Sequence, residues 1–343
     1  MKKTQKIIII GLGRVGREIL SQLKSVGLDY QIIGLADSSA CLVGDPLSDE
    51  QVDNAIQTKS AGKSLTDLPD SSNLSRLPGF FSSDTIIVDT SAAKDLNWES
   101  ALSRGCKLVF ANKNAHSAPW KQASKLYQQP GIRYESTVGA GLPIINTVRC
   151  MVESGDQITR IDGVMSGTLG YLCSQLEKGV SYSQAVGQAF ESGYTEPDPR
   201  DDLSGYDVLR KAIILARTAG WQLELEDFQV DPMYDEKRLG KSVGDFLLNT
   251  SHLDQTYALK VESAAKRGKV LRYLATLSPT GGSVGLQEVD RDSQLGALQG
   301  TGNYFAIYSR NYNEIPLVIA GPGAGITVTA NGVLNDIIAL LSS

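Results

Sequence analysis

Only two histidines, His116 and His252, occur in 343 residues, and neither a Cys-x-x-Cys nor a His-x-x-x-His pair accompanies them. A zinc site of the usual Cys/His kind therefore cannot be assembled. The four cysteines, Cys41, Cys106, Cys150 and Cys173, lack close-pair spacing and fall in expected strands or helices, which argues against a disulfide framework and for reduced, structural thiols. Long apolar runs are missing too. After Met1-Lys2-Lys3-Thr4-Gln5-Lys6 only four isoleucines precede Gly11, too few for a signal peptide or a membrane span. A cytoplasmic protein with no membrane partner is expected. Nor is there a basic excess: 33 Lys and Arg stand against 38 Asp and Glu, scattered, with a formal charge of -5 and no stripe for a nucleic acid backbone. What remains is a soluble, globular composition in a chain long enough for two domains.

The first half reads as alternating strands and helices. Lys6-Ile7-Ile8-Ile9-Ile10 has the pattern of a buried parallel strand, and Gly11-Leu12-Gly13-Arg14-Val15-Gly16 follows it and opens a helical run. In a G-x-G-x-x-G loop so placed, glycines permit a tight turn and close approach of a pyrophosphate, which the helix N-terminus attracts. A second strand, residues 31–36, ends at Asp37, about twenty residues on, where an acid holds the ribose hydroxyls of a bound dinucleotide. That favours NAD, while Ser38, Ser39 and Arg14 leave NADP open to the chain. Strands at 85–89 and 107–111, separated by a helical pattern over 96–104, predict a doubly wound parallel sheet. Off its carboxyl ends Thr90, Ser91 and Lys113 are expected to line the nicotinamide crevice. The Ser/Leu/Asp/Pro-rich stretch 58–79 reads as a connection with one short helix and no identifiable chemistry.

Further along, Glu196-Pro197-Asp198-Pro199-Arg200-Asp201-Asp202-Leu203-Ser204 delivers acids to a helix expected to open at Ser204, regular structure being barred through Pro199. One turn separates Asp207 from Lys211, so both share a helical face. Ser204-x-x-Asp207 is equally a capping box, and Asp207/Lys211 equally a surface ion pair. Apolar strands at 269–277 and 304–309 are too few to close a sheet alone, which fits a subunit interface.

Five segments in order, Ala111-Asn112-Lys113, Glu135-Ser136-Thr137-Val138-Gly139-Ala140-Gly141-Leu142-Pro143, Ser166-Gly167-Thr168-Leu169, Gly193 to Lys211, and Gly321-Pro322-Gly323-Ala324-Gly325, closely resemble homoserine dehydrogenase. The resemblance spans nearly the whole chain. It implies an α/β fold: a Rossmann dinucleotide-binding domain, residues 1–142 completed by 321–343, and an α+β substrate-binding and dimerisation domain, residues 143–320. A chain that begins at the nucleotide fold and stops after the returning helix is expected to be the short form, without aspartate kinase or regulatory extension. The implied reaction is reversible NAD(P)H-dependent reduction of L-aspartate 4-semialdehyde to L-homoserine. By resemblance Lys113 and Lys211 are the catalytic lysines, and Gly167, Thr168, Tyr194, Glu196, Asp202 and Asp207 surround the amino acid. Gly323 approaches the cofactor, and Glu135, Val138, Ala140 and Leu142 hold a monovalent cation, sodium, on backbone carbonyls. Gly170 stands where the family more often has Asn.

The residue types suit that chemistry. An acid such as Glu196 holds and orients an ammonium by a charge-assisted bond. A lysine serves the alcohol as acid and base near neutral pH where burial or neighbouring cations favour its neutral form, and Asp207 works the other way, so it is read as orienting Lys211. Aspartate-semialdehyde dehydrogenase, the alternative enzyme, needs a thiolate in an electropositive pocket, whereas Cys150 and Cys173 fall in apolar helical patterns. A cofactor-binding regulator without turnover is the alternative of another class.

Overall fold

The computed structural model describes residues 4–94, 96, 98–127, 129–238 and 240–341, so the expected helical pattern 96–104 lies partly outside the described residues, at Asn97. Within that stretch the helix runs Glu99–Ser103. Two compact units divide the chain, residues 1–143 with 324–343, and Ile144–Gly323.

In the first unit β1 (Gln5–Ile10), β2 (Tyr30–Ala36), β3 (Cys41–Val43), β4 (Thr85–Asp89), β5 (Lys107–Phe110) and β6 (Ile132–Arg133) form one sheet in the order β3-β2-β1-β4-β5-β6. Every pairing is parallel except β2 with β3. The all-parallel expectation fails at that edge because four residues, 37–40, link β2 to β3, enough for a reversal but not for a crossover. Ile7, Ile8 and Ile9 are fully buried, as a central strand covered on both faces requires. The last helix, Ile326–Leu341, packs on the helix Arg14–Ser25 and seals the core with Val333, Leu334 and Ile337.

The second unit has its own sheet, β12-β11-β7-β9-β10-β8, from β7 (Ile158–Val164), β8 (Phe228–Val230), β9 (Lys269–Ser278), β10 (Gly281–Asp290), β11 (Gly302–Ser309) and β12 (Leu317–Pro322). The expectation of too few strands is corrected here: β10, rich in glycine and polar residues, pairs with β9 over its full length although its sequence carries little apolar signal. Helices Gly167–Glu177, Tyr206–Thr218 and Asp254–Ala265 pack on β9. Alternation places Val164, Leu274, Tyr304 and Ala306 on one face as a small apolar cluster, with Leu295 and Leu298 folded onto it. Among the described residues no helix is long and apolar enough to cross a membrane.

Candidate functional site

The order of the strands reverses between the parallel β1 and β4, which opens a crevice at their carboxyl ends. Gly11, at φ 95°, leaves no room for a side chain, since a Cβ there would stand 2.5 Å from the Ser91 nitrogen. A Cβ on Gly16 would stand 2.4 Å from the Gly11 oxygen, so loop, helix and β4 lock together through missing side chains. Thr90 reinforces the lock, its hydroxyl donating to the Gly11 carbonyl at 2.6 Å. Leu12 is buried and its N–H bonds the Ala36 carbonyl, so it anchors the loop. Gly13 faces open space and begins the helix Arg14–Ser25 with no side chain capping it. The first-turn backbone at Arg14, Val15 and Gly16 is thus suited to an anion.

Beside this loop lies a cavity of about 580 Å³ lined by Gly11, Ala36, Asp37 and Ser91 on one side. Leu74, Leu77, Pro78 and Phe81 form its apolar wall. The stretch 58–79 therefore does contribute, contrary to its reading as a bare connection, through the 3₁₀ run Leu74–Phe80. Its signal was the Leu74, Leu77, Phe80 spacing of three inside polar sequence, the period of a 3₁₀ helix. An apolar slot of this size suits a planar heteroaromatic base.

Asp37 lines the cavity, but its carboxylate is turned into the protein. Oδ1 accepts from the Ser39 and Ala40 N–H groups at 2.9 and 3.0 Å. Oδ2 accepts from Lys59 Nζ at 2.7 Å and from the Leu65 N–H at 2.9 Å. A carboxylate has about four lone-pair sites, and all are spoken for, so the expected bond to ribose hydroxyls has no acceptor left. Burial pushes this carboxyl up; Lys59 and the three backbone donors outweigh it and hold its pKa at about 2.

Asp89, which sequence reasoning passed over, organises the strand ends. Its Oδ1 accepts from the Ser91 N–H and hydroxyl at 2.9 and 2.7 Å, and its Oδ2 from the Asn112 amide at 3.0 Å. Burial raises the Asp89 carboxyl above the usual range, against those donors. Asn112 in turn accepts from the Asn114 N–H and donates to the Ala93 carbonyl. Lys113 is thereby set at the start of the short helix Asn114–Ser117, half-buried, its carbonyl accepting from Ser117.

In the second unit the acidic stretch is helical sooner than expected. Asp198 caps a helix Pro199–Leu203 by accepting from the Arg200 N–H, and Pro199 at its first position lacks only an N–H that the helix does not use. Ser204 ends that helix instead of capping the next. The helix Tyr206–Thr218 starts at Gly205, whose φ of 74° admits no ordinary side chain and whose Cβ position is taken by the Tyr273 hydroxyl. The capping-box reading of Ser204 and Asp207 is thus wrong, and Asp207 is released to meet Lys211 at 2.8 Å. Lys211 Nζ also donates to the Met165 carbonyl at 2.7 Å, while its side chain is 14% exposed. An ammonium has three N–H donors, so one is left to face a ligand.

Around it the expected residues converge in part. The Thr168 hydroxyl lies 2.6 Å from the Tyr194 carbonyl and 3.0 Å from Asp202 Oδ1, and Asp202 Oδ2 accepts from the Glu196 N–H at 2.7 Å. Burial raises the Asp202 carboxyl, with the Glu196 N–H and the Thr168 hydroxyl opposing. Gly167 opens the helix Gly167–Glu177 with its Cα against Thr301. The Tyr194 and Glu196 side chains stand at the surface, Tyr194 packing on the Tyr171 ring at 4.9 Å. Gly323 lies flat against the Asn303 amide. In the first unit Glu135 and Val138 are buried, Gly139 and Ala140 take φ of 72° and 58°, and the Leu142 N–H bonds the Gly139 carbonyl. Among the described residues no group of three or more His, Cys, Asp or Glu side chains is placed to hold a metal ion.

The homoserine dehydrogenase family model matches residues 143–338. Over 97% of its length the chain is 36% identical to a homoserine dehydrogenase of Emericella nidulans and covers 97% of that protein. It is also 36% identical, over 99% of its length, to bifunctional aspartokinase/homoserine dehydrogenase 2, chloroplastic, of Zea mays, but spans only 39% of that relative. A hyperthermophilic archaeal homoserine dehydrogenase, solved in complex with NADPH, is 26% identical with a TM-score of 0.73, over 97% of this chain and 96% of that one. Five ordered motifs, a glycine loop where the strand order reverses and a lysine held by Asp207 and the Met165 carbonyl thus agree with these likenesses: the chain belongs to the homoserine dehydrogenase family.

Proposed function

We propose that this chain catalyses the reversible reduction of L-aspartate 4-semialdehyde to L-homoserine with NADH or NADPH. The observation that carries the reading is Lys211, held between the Asp207 carboxylate and the Met165 carbonyl with one N–H to spare. A bound reduced nicotinamide supplies the hydride to the aldehyde carbon, so no protein nucleophile is needed. Lys211 gives its proton to the aldehyde oxygen as negative charge gathers there, and takes it back in the reverse direction. Asp207 fixes the lysine; Glu196, whose backbone N–H is held by Asp202, is read as the acid for the substrate ammonium. The thioester route has no support at Cys173, whose thiol burial pushes up to about 11. Absorbance of reduced nicotinamide with L-aspartate 4-semialdehyde, run with NADH and NADPH, tests the reading; silence with both, despite cofactor binding, would favour the regulator.

The first unit is read as the nucleotide holder, the base lying in the Leu74/Phe81 slot and the pyrophosphate on the Gly13 helix start. Asp37 then gives no reason to prefer NAD. Lys113→Ala is expected to lower kcat about 10²-fold, with some loss of nicotinamide affinity. Wild-type rates in that variant would remove Lys113 from the mechanism. The 135–142 turn is read as holding a monovalent cation such as sodium, since uncharged carbonyl oxygens at a turn of left-handed Gly139 and Ala140 suit a hard ion.

A homodimer formed through the Tyr304 face of the second sheet is also part of this reading. That face carries Arg160 stacked 3.9 Å over the Tyr308 ring, and Ile315, which lines a groove with Tyr304 and Tyr308, is 81% exposed. Light scattering is expected to give twice the chain mass; a monomer at all concentrations defeats this part. Free, mostly buried thiols fit a reducing, cytoplasmic setting.

A further inference from the structure

The loop 291–301, which carries the chain from β10 to β11, is tied down more firmly than a connection requires. Glu177, the last residue of the helix Gly167–Glu177, accepts from Arg272 Nη1 at 3.0 Å, from Arg291 Nη1 at 3.1 Å and from Gln299 Nε2 at 3.4 Å. One carboxylate thus holds both ends of the loop. Arg272, its side chain 2% exposed, also donates from Nη2 to the Gly296 carbonyl and so fixes the middle. Leu295 and Leu298 add apolar packing against the Val164, Leu274 and Tyr304 cluster. A buried ion pair and packed leucines leave the loop little freedom to yield.

Its last residues bear on the first half of that helix. Residues 167, 170 and 174 share one flank by helical spacing, and the loop touches all three. A Cβ on Gly167 would stand 3.3 Å from the Thr301 carbonyl oxygen, and a Cβ on Gly170 2.9 Å from the Gly300 oxygen. Ser174 Oγ accepts from the Gly300 N–H at 2.9 Å while donating to the Gly170 carbonyl at 3.0 Å. Thr168 lies about 200° round the helix from Gly170, on the opposite flank. There its hydroxyl meets the Tyr194 carbonyl and Asp202, the carboxylate that holds the Glu196 N–H. The helix start is clamped between an anchored loop and the acidic segment.

We infer that Gly170 and Ser174 are positioning residues for the amino-acid substrate: by seating the Gly300 backbone on the helix they set how far Thr168 reaches towards Tyr194 and Asp202, and through Asp202 where Glu196 stands. This rests on the homoserine reading above. The missing side chain at position 170 is the setting. A methyl group there cannot share its space with the Gly300 oxygen, so something must shift. Because the loop is anchored on Glu177, the helix start gives way, and the Thr168 hydroxyl leaves its two acceptors. Loss of the Ser174 hydroxyl loosens the same seat from the other side.

The test measures L-homoserine oxidation in Gly170→Ala and Ser174→Ala, each alone and combined with Thr168→Val. The expected result is a rise in the KM for L-homoserine of about 5-fold or more in either single variant, with kcat and the KM for NAD(P)⁺ within about twofold of wild type. Thr168→Val raises that KM by itself, and on top of it the same substitutions add less than about twofold, since the group they act through is gone. Alanine is the stronger helix former, so a loss in Gly170→Ala comes from the contact and not from the helix; that variant carries the test if Ser174→Ala does not fold. An unchanged KM, or rises that multiply undiminished in the Thr168→Val background, mark plain packing and overturn the assignment. Hydrogen exchange reads the seat without turnover. The Leu169 and Gly170 amides, both bonded to Ser166, are expected to exchange about 10-fold faster in the two variants than in wild type, and unchanged exchange equally overturns the inference. Wild type inactive on L-homoserine with both cofactors would sink the proposed reaction instead, and the exchange measurement then still decides whether the loop sets the helix start.

Discussion

Lys211→Ala is expected to lower kcat by about 10³-fold while nucleotide affinity changes little. The lysine sits in the second unit, on the helix Tyr206–Thr218, and touches Asp207 and the Met165 carbonyl, none of which belongs to the glycine-loop unit. Under the proposed mechanism the variant removes a proton donor to oxygen, an interaction strongest in the transition state, so kcat is expected to fall more than substrate KM rises. Stability changes less, because Asp207 is half-exposed and its ion pair with Lys211 is partly open to water. Lys211→Arg separates charge from proton transfer: a guanidinium keeps the positive charge but does not give up its proton, so its kcat is expected to stay close to that of the alanine variant. Stopped-flow measurement of nicotinamide oxidation in both variants checks this. Near-wild-type turnover in the arginine variant would reduce Lys211 to an electrostatic anchor, and equal loss of cofactor binding in the alanine variant would contradict its proposed role towards the substrate alone.

The sequence made some of this legible and hid the rest for physical reasons. Buried parallel strands announce themselves as apolar runs, so β1, β2, β4 and β5 stood out, as did the glycine loop whose spacing the close approaches of Gly11 and Gly16 require. The pairing of Asp207 with Lys211 followed from helical spacing alone. What spacing could not reveal was which competing local bond wins. Ser204 had the residues for a capping box, yet Gly205 at φ 74° takes the cap because Tyr273 occupies the space beside it, a contact from a strand some seventy residues away. β10 escaped for the opposite reason: its glycines and polar residues hold a strand only through pairing with β9. Asp89 and Asn112 do their positioning through side-chain bonds across strand ends, which no periodicity records.

Asp37→Asn is expected to destabilise the first unit rather than to change which cofactor is used. Placed about twenty residues after the glycine loop, an acid invites the ribose role, and a shift from NADH towards NADPH in Asp37→Ser would follow from it. In the fold, however, the carboxylate ties the Ser39 and Ala40 turn to Lys59 and to Leu65, drawing together three segments of the first unit. The sign with pH is set by the folded pKa of about 2, below the ordinary 3.8. A carboxyl depressed by folding stabilises fully above the ordinary value, and that contribution fades as pH falls towards 2; the difference corresponds to at most about 2 kcal/mol. Urea unfolding of wild type and Asp37→Asn is therefore expected to differ by about that amount at pH 6 and to converge as pH drops below 4. Kinetics at pH 7 supply the other arm. If Asp37→Asn keeps wild-type stability and raises NADPH use relative to NADH, the carboxylate reads the ribose after all, and Lys59 and Leu65 must release it when the cofactor binds.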